Sequence, residues 1–183
     1  MSKATKAVTN EVTISYANLN TPKAAVEGGK EKYSASIIIP KTDTDTIDRV
    51  NNAIQAAFEE GEGILKGSGK SVPSMDIIKL PLRDGDKERP DDPAYANSYF
   101  INANSINKPG IVDRAMNPII ETSEIYSGIK ARVSINFYAF NVNGNRGIAA
   151  GLGNVQKLAD GTPLGGSSKP EDDFEALDDD FLS

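Results

Sequence analysis

The sequence predicts a mainly β chain, folded as a small barrel or sandwich with one helix and long loops, and followed by a separate acidic tail. Three observations predict it. Apolar and polar residues alternate at period two in several short segments, helical periodicity is convincing in only one place, and the acidic residues crowd toward position 183. A parallel α/β sheet would need helices between most of its strands, and the pattern does not supply them.

Val12, Ile14 and Tyr16 alternate with Glu11, Thr13 and Ser15, which places a half-buried strand over 11–16 with Tyr16 on the face of Val12 and Ile14. A turn-rich stretch over 18–29 leads to a second strand over 33–39, ended by Pro40. The period then changes. Ile47, Val50, Ile54, Ala57 and Phe58 share one face at helical spacing, with Asp43, Thr44 and Thr46 as N-cap candidates and Gly61 as the stop, so a core-closing helix is expected over roughly 44–60. From Gly61 to Pro93 glycines and prolines read as loop, interrupted by Ile77, Ile78 and Leu80. Strands are expected again over 95–105 and 128–143. Asn143-Gly144 then supplies a tight hairpin turn into a glycine-rich strand over 146–158, whose composition suits a sharply bent strand. The expected division is a β domain over 1–164 and a Gly/Ser linker with a disordered acidic tail over 165–183.

Composition narrows the chemistry. The chain has no cysteine and no histidine, which removes disulfides, thiolate chemistry and the commonest metal ligand and general base. No cofactor or metal site is expected, and no enzyme. No apolar run approaches the roughly 18–20 residues of a bilayer span and no hydrophobic segment follows the N-terminal lysines, so no membrane partner and a cytoplasmic location are expected. The net charge of −6 is unevenly placed: seven acids lie in 171–183 with no Lys or Arg, and taking them from 26 leaves 19 acids against 20 Lys and Arg in the preceding residues. The body is near neutral and free to gather cations on one face.

Two glycine motifs carry no nucleotide chemistry. Gly67-Ser68-Gly69-Lys70-Ser71 has Ile64 where a phosphate-binding loop requires its first glycine, and no helix signal follows. Lys66 and Lys70 on this Gly/Ser loop are placed to touch a phosphate backbone. Gly151-Leu152-Gly153 lacks the third glycine of a dinucleotide fingerprint and is read as backbone geometry.

The strand from Lys130 to Phe140 is more informative. Ala131, Val133, Ile135, Phe137 and Ala139 form an apolar face for the core, and alternation then forces Lys130, Arg132, Ser134, Asn136, Tyr138 and Phe140 outward together. Cations that track phosphates beside rings that stack on bases are what sequence-independent binding of single strands requires. Tyr99 and Phe100 are adjacent and must face opposite sides, so one is core; Phe100 has the more polar companions, Ser98, Asn102 and Asn104, and is a further candidate for the ligand face. In the tail, Asp172-Asp173-Phe174 and Asp178-Asp179-Asp180-Phe181 place aromatics directly after acids, which suits docking into a basic-rimmed apolar pocket of a partner or competition for the chain's own cationic groove.

The stretches Tyr33-Ser34-Ala35-Ser36-Ile37-Ile38-Ile39-Pro40-Lys41, Ile125-Tyr126-Ser127-Gly128 and Gly151-Leu152-Gly153-Asn154-Val155-Gln156-Lys157 resemble a family of bacteriophage single-stranded-DNA-binding proteins long catalogued as a domain of unknown function, the Enc-type binders. The resemblance implies an OB-fold-like barrel, sequence-independent binding of single-stranded DNA, and a role in phage DNA replication or recombination in the host cytoplasm. The tail is similar to those through which single-strand binders recruit replication and repair proteins, but Leu182 and Ser183 follow Phe181 here. A homodimer is a further expected partner arrangement. The competing readings are a β-rich interaction or virion-associated domain, which would engage Lys130 and Arg132 in salt bridges within the body, and a magnesium nuclease using Asp76, Asp84, Asp86 and Asp113, which has no motif behind it.

Overall fold

The structure, a computed structural model, describes residues 3–24 and 26–164; the expectations for the linker and for the tail residues Asp172 to Phe181 lie outside the described residues. The strands are β1 (Lys6–Val8), β2 (Val12–Ala24), β3 (Glu31–Pro40), β4 (Arg83–Asp84), β5 (Ser98–Ser105), β6 (Ile111–Val112), β7 (Lys130–Val142) and β8 (Asn145–Ala159). The helices are α1 (Thr44–Glu60), α2 (Glu62–Lys66) and α3 (Gly85–Glu88).

Strands β2, β3, β5, β8 and β7 pair in that order, and β7 pairs again with β2, so the sheet closes into a barrel. All these pairings are antiparallel except β5 with β8, and β1, β4 and β6 extend the sheet on β7, β5 and β8. Closure removes the exposed edges of the long strands and gives the barrel one inside and one outside. Inside lie Ile14, Ile37, Ile39, Ile101, Ile135 and Phe137, all essentially without solvent contact. Helix α1 caps the barrel with Val50, Ala53, Ile54 and Ala57. Asp43 forms its N-cap, its carboxylate accepting the Thr46 N–H at 3.2 Å. The helix approaches β7 so closely that a Cβ on Gly61 would lie 2.3 Å from that of Ala139.

Several boundaries differ from the sequence expectation. The 18–29 stretch is not all turn: β2 runs on to Ala24 because β3 offers pairing partners up to Lys23↔Lys32 and Ala24↔Glu31. Tyr16 does not share the inner face of Val12 and Ile14. The register with β3 slips between Ser15 and Asn18, Tyr16 takes a φ of 46° and is 57% exposed, while Ala17 and Leu19 turn inward. The expected loop after Gly61 holds a second short helix, α2, anchored by buried Leu65 and by Asn141 and Arg146, which donate to the Ile64 and Leu65 carbonyls. The 95–105 strand starts only at Ser98, because Tyr95 closes a 3-10 turn and Asn97 adopts positive φ.

Burial opposes the charge on Asp43, but its bonds to Thr46 and Asn10 and the nearby Arg49 outweigh this and hold its carboxyl below the usual aspartate range. A carboxyl depressed in the folded state stabilises above its unfolded value, and that contribution is lost as pH falls below about 4. Asp43→Ala is therefore expected to lower stability at neutral pH by about 1 kcal/mol, with the deficit shrinking in acid. Asp43→Asn should retain most of the cap. Urea denaturation at neutral and acid pH measures both.

Candidate nucleic-acid interface

The closed register carries one row of side chains over the outside of the barrel. Asn18 of β2 pairs with Ser34 of β3, Ser34 with Asn104 of β5, Asn104 with Gly151 of β8, Gly151 with Asn136 of β7, and Asn136 with Lys6 of β1. Every member is small, polar or cationic, so this band has the polarity of a ligand-facing surface. The next row pairs Ser36 with Asn102.

Three concavities open along the band and share Asn104. One, of about 460 Å³, lies between Lys6, Asn136 and Tyr138 on one side and Gly151, Gly153 and Asn154 on the other. A second, of about 200 Å³, is bounded by Lys79, Arg83, Asn102 and Phe140. A third, of about 500 Å³, lies under the β2–β3 hairpin and carries Lys23, Lys30 and Lys32. The floor is low because of two glycines. A Cβ on Gly153 would lie 2.3 Å from the Ser134 hydroxyl, and one on Gly151 would lie 3.6 Å from the Tyr138 ring and 3.2 Å from the Asn136 carbonyl. Between Val133↔Val155 and Ile135↔Leu152, β8 carries one residue more than β7, and Ser134 Oγ accepts the Asn154 N–H at 2.7 Å across this bulge. Asn154 Oδ1 accepts the Gly110 N–H, which fixes that amide and leaves its Nδ2 as a donor.

The expected outward face of β7 divides in two. Asn136, Tyr138 and Phe140 reach the concavities, Tyr138 with 45% of its surface exposed. Lys130 and Arg132 lie further along the strand: Lys130 Nζ donates to Thr13 Oγ1 at 2.6 Å and Arg132 Nε to the Thr9 carbonyl at 3.2 Å. Among the described residues neither forms an ion pair, so the feature expected of a pure interaction domain is not met there. Lys66 and Lys70 are both exposed; Lys66 ends α2 and Lys70 lies in the turns beyond it, so the base of this expected loop is held by helix. Phe100 requires correction. It is on the outer face, opposite Ile101 and Ala103, but it is fully buried beneath the 83–96 segment, edge-on to Tyr95 at 5.1 Å and 84°. No base can stack on it.

The covering segment is fastened at several points. Lys41 Nζ lies 2.9 Å from Asp84 and 2.8 Å from Asp86, whose hydrogen bonds raise its pKa, and Tyr95 donates its hydroxyl to Ser36 at 2.8 Å. Asp84 and Asp86 are thereby committed to Lys41, and Asp113 accepts the Ala115 and Asn117 N–H groups. Sequence reading missed Lys6, Lys23, Lys30, Lys32, Lys79 and Asn104 as members of one surface. Each is unremarkable in its own segment: the β2–β3 hairpin gathers Lys23, Lys30 and Lys32, and only the long-range strand pairings set them on one surface with Lys6, Lys79 and Asn104.

The sequence model of the single-stranded-DNA-binding protein of Enterobacter phage Enc34 matches residues 5–182. The chain belongs to that family. The Enc34 family is one of binding proteins, not enzymes. A p50 protein of Acyrthosiphon pisum secondary endosymbiont phage 1 is 29% identical over 176 residues, 92% of this chain and 91% of that protein. The single-stranded DNA-binding protein of bacteriophage Enc34, solved in complex with ssDNA, superimposes with a TM-score of 0.74 at 26% identity, over 89% of this chain and 91% of that one. This likeness identifies the barrel as the OB type. The fold extends to gp2.5, a single-stranded DNA-binding protein encoded by bacteriophage T7, with a TM-score of 0.57 at 18% identity over 93% of this chain and 94% of that one. No helix among the described residues is long and apolar enough to cross a membrane.

Because Phe100 fills a buried site, Phe100→Ala is expected to cost about 3–5 kcal/mol of stability by cavity formation, measurable by urea denaturation. An unchanged midpoint would return Phe100 to the surface.

Proposed function

We propose that the chain binds single-stranded DNA without reading its sequence, in phage DNA replication or recombination, along the outer band from the β2–β3 lysines to Tyr138. The observation that carries this reading is the row Asn18, Ser34, Asn104, Gly151, Asn136 and Lys6, cationic at its β1 end, flanked by the Tyr138 ring and continued by hairpin lysines at its other end. Cations neutralise phosphates, Tyr138 offers a face on which any base can stack, and the glycine floor lets the strand lie close to the backbone. Membership of the Enc34 family and the structure of the Enc34 protein in complex with ssDNA support the same ligand. Tyr138 and Lys6 carry the contact at the β7 end, Asn136 and Phe140 shape the groove beside them, and Lys66, Lys70, Lys130 and Arg132 add attraction from outside it.

Fluorescence anisotropy with a labelled oligo-dT at low and moderate salt tests the reading. Wild type should bind tightly at low salt and lose affinity steeply as salt rises, each phosphate contact contributing about −0.7 to the log–log slope. Tyr138→Ala with Lys6→Ala should weaken binding more than Lys130→Ala with Arg132→Ala, and loss of the Tyr138 stack alone should cost roughly 1–3 kcal/mol. No binding by wild type at low salt contradicts the function. A larger loss from the Lys130/Arg132 pair moves the site along β7.

The acidic segment 171–183 is proposed to compete with DNA for the cationic groove and, once displaced, to recruit replication or recombination proteins through Phe174 and Phe181. Its seven acids complement the hairpin lysines in charge. Removing it should raise oligo-dT affinity, most at low salt, whereas equal affinity with and without it ends the competition reading.

A further inference from the structure

Tyr16 is placed at a structural cost that core packing does not explain. It is a bulky residue in the left-handed region, φ 46°, where such residues are rare, and the bulge that puts it there leaves the residue 57% exposed. The peptide group that follows it is held at both its polar atoms: Ala17 donates its N–H to Ser127 Oγ at 3.0 Å, and Asn18 Nδ2 donates to the Tyr16 carbonyl at 3.2 Å. Without the bulge the ring would occupy an inward position, since Val12 and Ile14 before it are core residues at period two, and the burial of Leu19 beyond it marks the change of phase. The distortion serves to expose an aromatic face.

That face has a cation beside it. The Arg89 guanidinium lies 5.6 Å from the Tyr16 ring centre, 5.2 Å from that of Tyr95 and 5.3 Å from that of Phe100. Among the described residues Arg89 has no carboxylate in ion-pair range, although Arg83 close by is tied to Glu88 at 2.8 Å. Tyr95 and Phe100 are buried, so of these rings only Tyr16 presents an open face, next to a guanidinium with donors to spare. Tyr16 stands on β2 and Arg89 directly after α3, at the opposite side of the Ser34–Asn104 floor from Tyr138.

We propose that Tyr16 and Arg89 form a second nucleotide station on the single-strand path, with the base stacked on Tyr16 and its phosphate held by Arg89. This rests on the groove reading above. From β2 through β3, β5 and β8 to β7 are four interstrand steps of about 4.8 Å, or about 19 Å over the surface. Roughly five or six nucleotides at a stacked rise of ~3.4 Å would join the two stations.

The chain has no tryptophan, so Tyr16→Trp introduces a single reporter at the station. Its emission is to be followed while anisotropy of a labelled oligo-dT of about 12 nucleotides, within the footprint of one such domain, records binding to the same variant. Quenching that saturates together with anisotropy is the expected result. Binding by anisotropy with constant tryptophan emission overturns the station and leaves the groove reading standing; no anisotropy change with wild type ends both. Tyr16→Asn is the second variant, because asparagine tolerates the left-handed conformation. It should melt at the same or a higher temperature while binding the oligonucleotide roughly 5- to 100-fold more weakly. A lower melting temperature with unchanged affinity would make Tyr16 a structural residue and overturn the proposal.

Discussion

Period-two alternation along β7 ties the core of this protein to its surface. The strand is paired with β8 along most of its length and with β1 and β2 on its other edge, so it cannot slip by one residue without turning Val133, Ile135 and Phe137 out to solvent. Each buried aliphatic or aromatic side chain of this size is worth about 1.5–3 kcal/mol relative to exposure. Keeping those three inside fixes Ser134, Asn136 and Tyr138 outside as a set. The groove is the reverse side of the core, and its geometry is stabilised by apolar packing that never touches it.

The remaining outer surface is partitioned by covering segments. The 83–96 segment seals Phe100 and Ile38 into a small apolar cluster, and Lys79 crosses Gly147 so closely that a Cβ there would lie 2.3 Å from the Lys79 carbonyl. These covers remove apolar surface from water along one margin of the band, where Lys79 and Arg83 bound the same concavity. What stays open beside them is amide, hydroxyl, glycine and cation. At the far end of the barrel, the positive φ of Gly128 and the bond from its N–H to the Ile14 carbonyl at 2.7 Å turn the chain into β7. Next to it, Ser127 holds the bulge at Tyr16 from below. The Ile125-to-Gly128 stretch through which the sequence resembles its family thus acts at a distance on the groove's β2 margin.

Much of this was legible in the sequence where the signal is local. The helix over 44–60, its Asp43 cap, the β7 alternation and the Asn143-Gly144 hairpin all follow from neighbouring residues, and they stand as expected. What could not be read depends on partners far along the chain. Alternation alone points Tyr16 inward, and only the β3 register reveals the bulge that turns it out. Alternation puts Phe100 on the outer face, where it lies, but no local pattern announces that Tyr95 and Arg89 cover it. Lys6 and Asn104 became site candidates only when barrel closure set them beside Asn136 and Gly151, and Gly151 and Gly153, read as backbone geometry, also form the groove floor.

The central claim is that a nucleic-acid strand crosses the outer band and leaves the opposite surface untouched. Amide chemical-shift mapping of the isotopically labelled full chain during titration with oligo-dT addresses it most directly. Shifts concentrated at Ser34, Asn104, Asn136 and Gly151, with Met116 and Ile120 of the distant β6 loop unmoved, are the expected result. Shifts concentrated around Met116 and Ile120, with the band unmoved, would contradict the account.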